Sequence, residues 1–110
     1  MKPLVLLQII LGSFFYSTLA TATMPKYEIT IKDHRFLPAE ITIEAGKKVL
    51  LIVHNQDATA EEFESYSLNR EKLIRGQTKA KIFIGPLKPG KYPFFGEFFH
   101  KTAQGTIVVK

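Results

Sequence analysis

The side chains best suited to chemistry in this sequence are oxygen and nitrogen donors, and they fall in two stretches. His54-Asn55-Gln56-Asp57-Ala58-Thr59-Ala60-Glu61-Glu62-Phe63-Glu64-Ser65 is polar and acidic. Phe95-Gly96-Glu97-Phe98-Phe99-His100 sets a carboxylate and an imidazole among aromatic rings. If Glu62-Phe63-Glu64 is extended, Glu62 and Glu64 share a face and Phe63 points into the core, because side chains alternate along a strand. Two carboxylates side by side are hard donors, better suited to iron, manganese or calcium than to copper(I). The competing explanation is a solvated acidic loop. Glu97 sits between Gly96 and Phe98. A charge among aromatic rings is costly to bury alone, so Glu97 faces solvent, pairs with a base or holds a cation.

Imidazole is the commonest metal-binding side chain near neutral pH, which makes His100 a candidate ligand, although the adjacent Lys101 opposes a cation there. His34, in the first loop, is a further candidate; a lone loop histidine is more often a surface residue. The candidate metal ligands are therefore Glu64, Glu97, His100, Glu62 and His34. His54, at the end of an apolar strand, and Tyr66, a phenolate donor for ferric iron or an ordinary packed tyrosine, are weaker choices. Core packing accounts for most of the aromatic series Tyr92, Phe94, Phe95, Phe98 and Phe99 without an electron-transfer role. The chain has no cysteine. That excludes zinc-thiolate, iron–sulfur and thiolate-copper sites. No serine stands in a nucleophile motif, which argues against a hydrolase.

The elements that must position these groups are short. Tyr27–Lys32, Glu40–Glu44 and Lys79–Ile84 alternate apolar and polar residues as half-buried strands do. Val49–Val53 is a continuous apolar run, expected to be buried on both faces. Tyr92–Phe95 and Gln104–Val109 flank the loop that carries Glu97 and His100. Turn signals stand at Ala45-Gly46-Lys47, Gly85-Pro86 and Pro89-Gly90. Ala58–Phe63 is compatible with a helical turn, Thr59 capping it and Glu62 following three residues later; Phe63–Leu68 is compatible instead with a short strand. Arg70–Arg75 reads as a brief exposed piece. Seven or eight strands with no long helix predict an all-β, antiparallel two-sheet sandwich with functional loops at one end.

With 110 residues the chain is one domain. Lys2, the apolar stretch Leu4–Phe15 and Ala20-Thr21-Ala22 read as a signal peptide over residues 1–22. The apolar run is short for a membrane span. Residues 23–110 would then form the exported domain. Without disulfides, its stability must come from an apolar sheet-on-sheet core. The net charge of +5 is spread over scattered lysines and arginines. With no nucleic-acid motif, a solvated basic surface explains it better than nucleic-acid binding.

Phe36-Leu-Pro-Ala-Glu-Ile-Thr-Ile-Glu-Ala-Gly, the apolar strand ending in His54-Asn55, Leu87-Lys-Pro-Gly-Lys-Tyr and Gly105-Thr-Ile-Val-Val together resemble a cupredoxin-like domain across the expected mature chain. Asn55-Gln-Asp-Ala-Thr-Ala-Glu-Glu-Phe-Glu-Ser, Leu68-Asn-Arg-Glu-Lys, Phe83-Ile-Gly-Pro-Leu-Lys-Pro-Gly-Lys-Tyr-Pro-Phe-Phe-Gly-Glu-Phe and Thr102-Ala-Gln-Gly resemble a narrower group. These are the small periplasmic cupredoxins associated with bacterial ferrous iron permease systems. The resemblance implies a Greek-key sandwich and a periplasmic location. It implies iron or copper as the bound ion, and service to a permease system or another periplasmic iron-binding protein. Oxidation of Fe(II) is one implied activity. A non-redox metallochaperone and a metal-free interaction domain are the alternatives, and a homodimer that completes the site stays open. In copper cupredoxins a cysteine falls in the region that is Phe95-Gly96-Glu97 here. The narrower group tends to have histidines where this chain has Tyr66 and Phe99.

Overall fold

The computed structural model describes residues 23–110; the expected signal segment, residues 1–22, lies outside them. The strands are β1 (Lys26–Lys32), β2 (Arg35–Leu37), β3 (Glu40–Ile43), β4 (Val49–Asn55), β5 (Glu61–Ser65), β6 (Arg70–Ile74), β7 (Lys79–Ile84), β8 (Gly90–Gly96) and β9 (Gln104–Val109). They form two packed sheets, ordered β2-β1-β4-β7 and β3-β9-β8-β5-β6. The all-β sandwich expected from the spacing of apolar runs is the fold observed, with nine strands among the described residues.

Three local expectations are corrected. The sandwich is not purely antiparallel: β1 runs parallel to β4, and β3 parallel to β9. Between β1 and β4 the chain crosses to the second sheet as β3 and returns, so strands close in sequence meet in the same direction; alternation carries no record of direction. Residues Glu61–Ser65 form a strand, not a helical turn, because Phe63 is fully buried while Glu62 and Glu64 turn outward. Arg70–Ile74 is a strand at the sheet edge, where only Ile74 is buried and no apolar alternation marks it. In β4 the core face holds Val49, Leu51 and Val53; on its other face Leu50 is buried and Ile52 only half-buried.

Three aromatic rings, one each from β2, β5 and β8, centre the core. Phe94 stacks on Phe63 at 5.0 Å and meets Phe36 edge-on at 4.9 Å. Ile29, Ile31, Leu51, Val53 and Ile107 pack around them. Each such side chain gains roughly 1.5–3 kcal/mol on burial, the main source of stability in a chain without cross-links. At the open edge Arg70 Nε donates to the Phe83 carbonyl at 2.9 Å, bridging β6 to β7 of the other sheet.

Polar side chains tie the loops together at the end that bears the candidate residues. Asn55, 2% exposed, reaches the carbonyls of Thr59 at 2.9 Å and Ile74 at 3.1 Å, and its Oδ1 accepts the Asp57 N–H at 3.0 Å. Asp57 in turn accepts the N–H groups of Asp33 at 2.8 Å and His34 at 2.9 Å. Both turn residues have positive φ, 52° and 57°. Gly76 lets the β6–β7 turn lie against the β4–β5 loop; a Cβ there would stand 2.1 Å from the Ala58 carbonyl oxygen. Asn55→Ala leaves buried backbone groups unpaired and is expected to cost about 3 kcal/mol. Thermal denaturation checks it: a fall in Tm of more than about 10 °C is expected, and an unchanged Tm refutes the pinning role.

Candidate metal centre

Strands β5 and β6 form a hairpin closed over Tyr66–Asn69, where Asn69 takes φ 52°. Ser65 Oγ donates to the Pro93 carbonyl at 2.7 Å and accepts the Leu68 N–H at 3.3 Å, fixing the turn to β8. The register sets Glu64 opposite Glu71 and Glu62 opposite Leu73. Cross-strand partners share a face, so these side chains meet on the outer surface of the five-stranded sheet. Carboxylate oxygens of Glu62, Glu64 and Glu71 lie within 4.8 Å of one another. From the β8–β9 loop, the Glu97 N–H donates to the Glu62 carbonyl at 2.9 Å, and the Glu97 charge acts on both Glu62 and Glu64. Phe95 of β8 lies opposite Glu64 and closes the other side.

The electrostatics follow from crowding. A hydrogen bond to Glu71 is the main cause that raises Glu62 from 4.5 to about 7, with desolvation and the charges of Glu71, Glu64 and Glu97 adding to it. Desolvation comes first for Glu64, also raised, followed by the charges of Glu71 and Glu97. Among the described residues, no lysine, arginine or histidine lies in salt-bridge reach of these four carboxylates. Like charges held this close favour a shared proton or a cation.

Of the sequence candidates, Glu62 and Glu64 come together, with Glu71 as the third member of the group; Glu97 lies outside that group of three and reaches it through its charge and through its N–H on the Glu62 carbonyl. Glu71 carries no signal in the sequence because its strand is an exposed edge without apolar alternation; the hairpin register faces it to Glu64. His34 and His100 do not join the group of carboxylates. The His34 ring stacks on Phe99 at 3.6 Å, its Nδ1 is 3.4 Å from Asp57 Oδ2, and its carbonyl accepts the Thr102 hydroxyl at 2.6 Å. Exposed His100 borders a groove with Pro93, Phe95 and Gln104 and a hollow shared with His34 and Phe99. His54 lies on the other sheet, 3.3 Å from Glu28. Tyr66 is not packed inside: it is 78% exposed, its ring 5.5 Å from Phe95, at the rim beside Glu64 and Glu71.

Sequence reasoning also passed over Glu61, which is 1% exposed. Its Oε1 accepts the N–H groups of Glu62 and Phe98, each at 2.8 Å, and Oε2 accepts that of Phe99 at 3.1 Å. The signal available was two consecutive glutamates in a strand, one of which must face inward. At Gly96, in the region where copper relatives carry cysteine, a Cβ would stand 2.4 Å from Glu61 Cδ and 2.8 Å from Ala103 Cβ. The residues present do not fit a thiolate copper centre: the sulfur is missing and a carboxylate fills the space.

The raised Glu62 value fixes the sign of a pH effect. The folded chain binds a proton at Glu62 more tightly than the unfolded one, so its contribution to stability is complete below about 4.5 and is lost as pH rises through about 7. With chelator present, Tm is expected to fall between about pH 5 and about pH 8, and Glu62→Gln to flatten that fall. A Glu62→Gln profile with the unchanged slope would refute the crowding.

Comparison with known proteins places the fold. The sequence matches the profile of the cupredoxin-like domain over residues 4–109. An uncharacterized protein of Rickettsia prowazekii (strain Madrid E) is 50% identical over 82 residues, 74% of this chain and 66% of that relative. The aligned part thus spans just under two thirds of the relative. The metal-binding domain of the Cu(I)-exporting P-type ATPase CopA of Streptococcus pneumoniae D39, solved with Cu(I), is similar with TM-score 0.69 and 18% identity over 77% of this chain and 84% of that one. Auracyanin A, a blue copper protein of Chloroflexus aurantiacus, is similar with TM-score 0.67 and 17% identity over 77% of this chain and 98% of that one. At such identities these likenesses speak to the fold alone, while the profile covers nearly the whole sequence: the chain belongs to the cupredoxin-like domain family.

Proposed function

We propose that this protein binds a hard metal ion, iron foremost, through Glu62, Glu64, Glu71 and Glu97 on the open face of the five-stranded sheet, and serves iron uptake in the periplasm. The observation that carries the reading is the group of three carboxylates within 4.8 Å, with no basic side chain in salt-bridge reach among the described residues of a chain whose net charge is +5. Anionic oxygen donors suit iron and manganese better than copper(I). The Cu(I) of the pneumococcal domain and the blue copper of auracyanin A belong to those proteins; here the all-oxygen donor set favours a different ion.

Exposed Glu71 and Tyr66 leave the site open at one side. Openness suits an ion received and handed on, to a permease or another periplasmic iron-binding protein, once residues 1–22 have directed export. A second reading is ferrous oxidation. Oxygen donors gain more from Fe(III) than from Fe(II), which lowers the cost of giving one electron per iron to dioxygen, four Fe(II) and four protons yielding two waters.

Anaerobic titration of the purified protein with Fe(II), followed by admission of oxygen, tests both. One Fe(II) per chain is expected, and Glu64→Gln with Glu97→Gln together should weaken binding by more than about tenfold. Oxygen uptake above the buffer rate would select oxidation; binding without it, carriage. Unchanged affinity in the double variant, or no binding of iron to the unaltered chain, would sink the site.

A further inference from the structure

Glu61 is the one buried charged side chain among the described residues, and the outer carboxylate site makes no direct use of it. Its contacts lie on both sides of that site. On β5 it precedes Glu62 and accepts the Glu62 N–H. Across the sandwich end it accepts the N–H groups of Phe98 and Phe99, the two residues after Glu97. The backbone of this loop is thus held donor by donor. The Gly96 N–H goes to the Ala103 carbonyl at 2.8 Å, the Glu97 N–H to the Glu62 carbonyl at 2.9 Å, and the next two to Glu61. Hydrogen bonds to an ionised acceptor are about twice as strong as neutral ones. Room for the carboxylate comes from two small residues, Gly96 and Ala103.

We propose that Glu61 is the positioning residue of the carboxylate site: by clamping the Phe98 and Phe99 amides from inside, it holds Glu97 against Glu62 on the outside. The role rests on the metal-binding reading above. It goes beyond that reading in assigning the geometry of Glu97 to a side chain that never touches the ion. A carboxylate is needed because both oxygens accept and neither donates; an amide at this place would set an N–H₂ against backbone N–H groups.

A double-mutant cycle tests it, using Mn(II) as the probe and carboxyl-carbon NMR titration of Glu62 as a second readout. Glu61→Gln is expected to weaken Mn(II) binding about tenfold, as loss of a residue that orients a ligand does. The Glu62 midpoint should fall in Glu61→Gln, because one of the charges that raises it has moved away, and fall equally in Glu97→Gln. Neither readout should change further in the double variant. Gly96→Ala, which pushes on the same carboxylate, should reproduce both effects. Additive losses in the double variant, or a lowered Tm with the Glu62 midpoint unmoved, would overturn the positioning role. If the variants do not fold, hydrogen exchange in the unaltered chain decides: Phe98 and Phe99 amides must be protected, and exchange as fast as at Lys101 refutes the clamp. Absence of Mn(II) binding by the unaltered chain would count against the metal site alone, because the Glu62 titration reports on the clamp with no metal present.

Discussion

A carboxylate taken out of water must be met by donors, and at one end of this sandwich that requirement arranges everything else. Among the described residues no basic side chain forms a salt bridge with Glu61. It is met by three backbone N–H groups instead, two of them from the β8–β9 loop. The loop therefore folds back over β5 and brings Glu97 to Glu62. Phe99 follows and lies flat on His34, which Asp57 holds through its ring and its backbone. Space decides the identity of the neighbours: a side chain at Gly96 would occupy the carboxylate itself. The interior of the loop end is thus organised around an anion, whereas the outer face gathers carboxylates that have no such donors.

Two consecutive glutamates on one strand show how geometry divides labour. Alternation sends Glu61 inward and Glu62 outward, and the two meet opposite fates. The inner one is satisfied by amides and has a structural task. The outer one faces Glu64, Glu71 and Glu97, and it is pushed toward the protonated state. A proton and a metal ion are competing ways of relieving the same repulsion.

The alternating runs around Ile29, Ile41 and Ile82 made a sandwich legible in the sequence, because each strand has one face on the core. The same rule placed Glu62 and Glu64 on one side of Phe63. What alternation could not supply was partnership. The parallel pairing of β1 with β4 and of β3 with β9 depends on sheet crossings that leave no periodic trace. Glu71 lies on a strand whose residues are exposed for want of a neighbour, so its strand character was hidden. A charged side chain turned inward is costly unless it is met by donors, and the amides that make the burial of Glu61 tolerable come largely from a loop some 37 positions away. Imidazole chemistry makes His34 and His100 candidates, but Asp57 and Phe99 hold His34 in another part of the loop end, and exposed His100 stays outside the carboxylate group.

The bridge from Arg70 to the Phe83 carbonyl lies at the corner where both sheets end. A free sheet margin invites another chain to add a strand, and long apolar margins seed aggregates. Here the guanidinium already occupies a carbonyl of β7, and β6 presents Arg70, Glu71 and Lys72 in succession. An incoming copy paired antiparallel in register on that margin would set Glu71 against Glu71 and Arg70 against Lys72, like charge against like. The hairpin that carries the carboxylates is for this reason also a charged margin, ill suited to adding a strand from another chain.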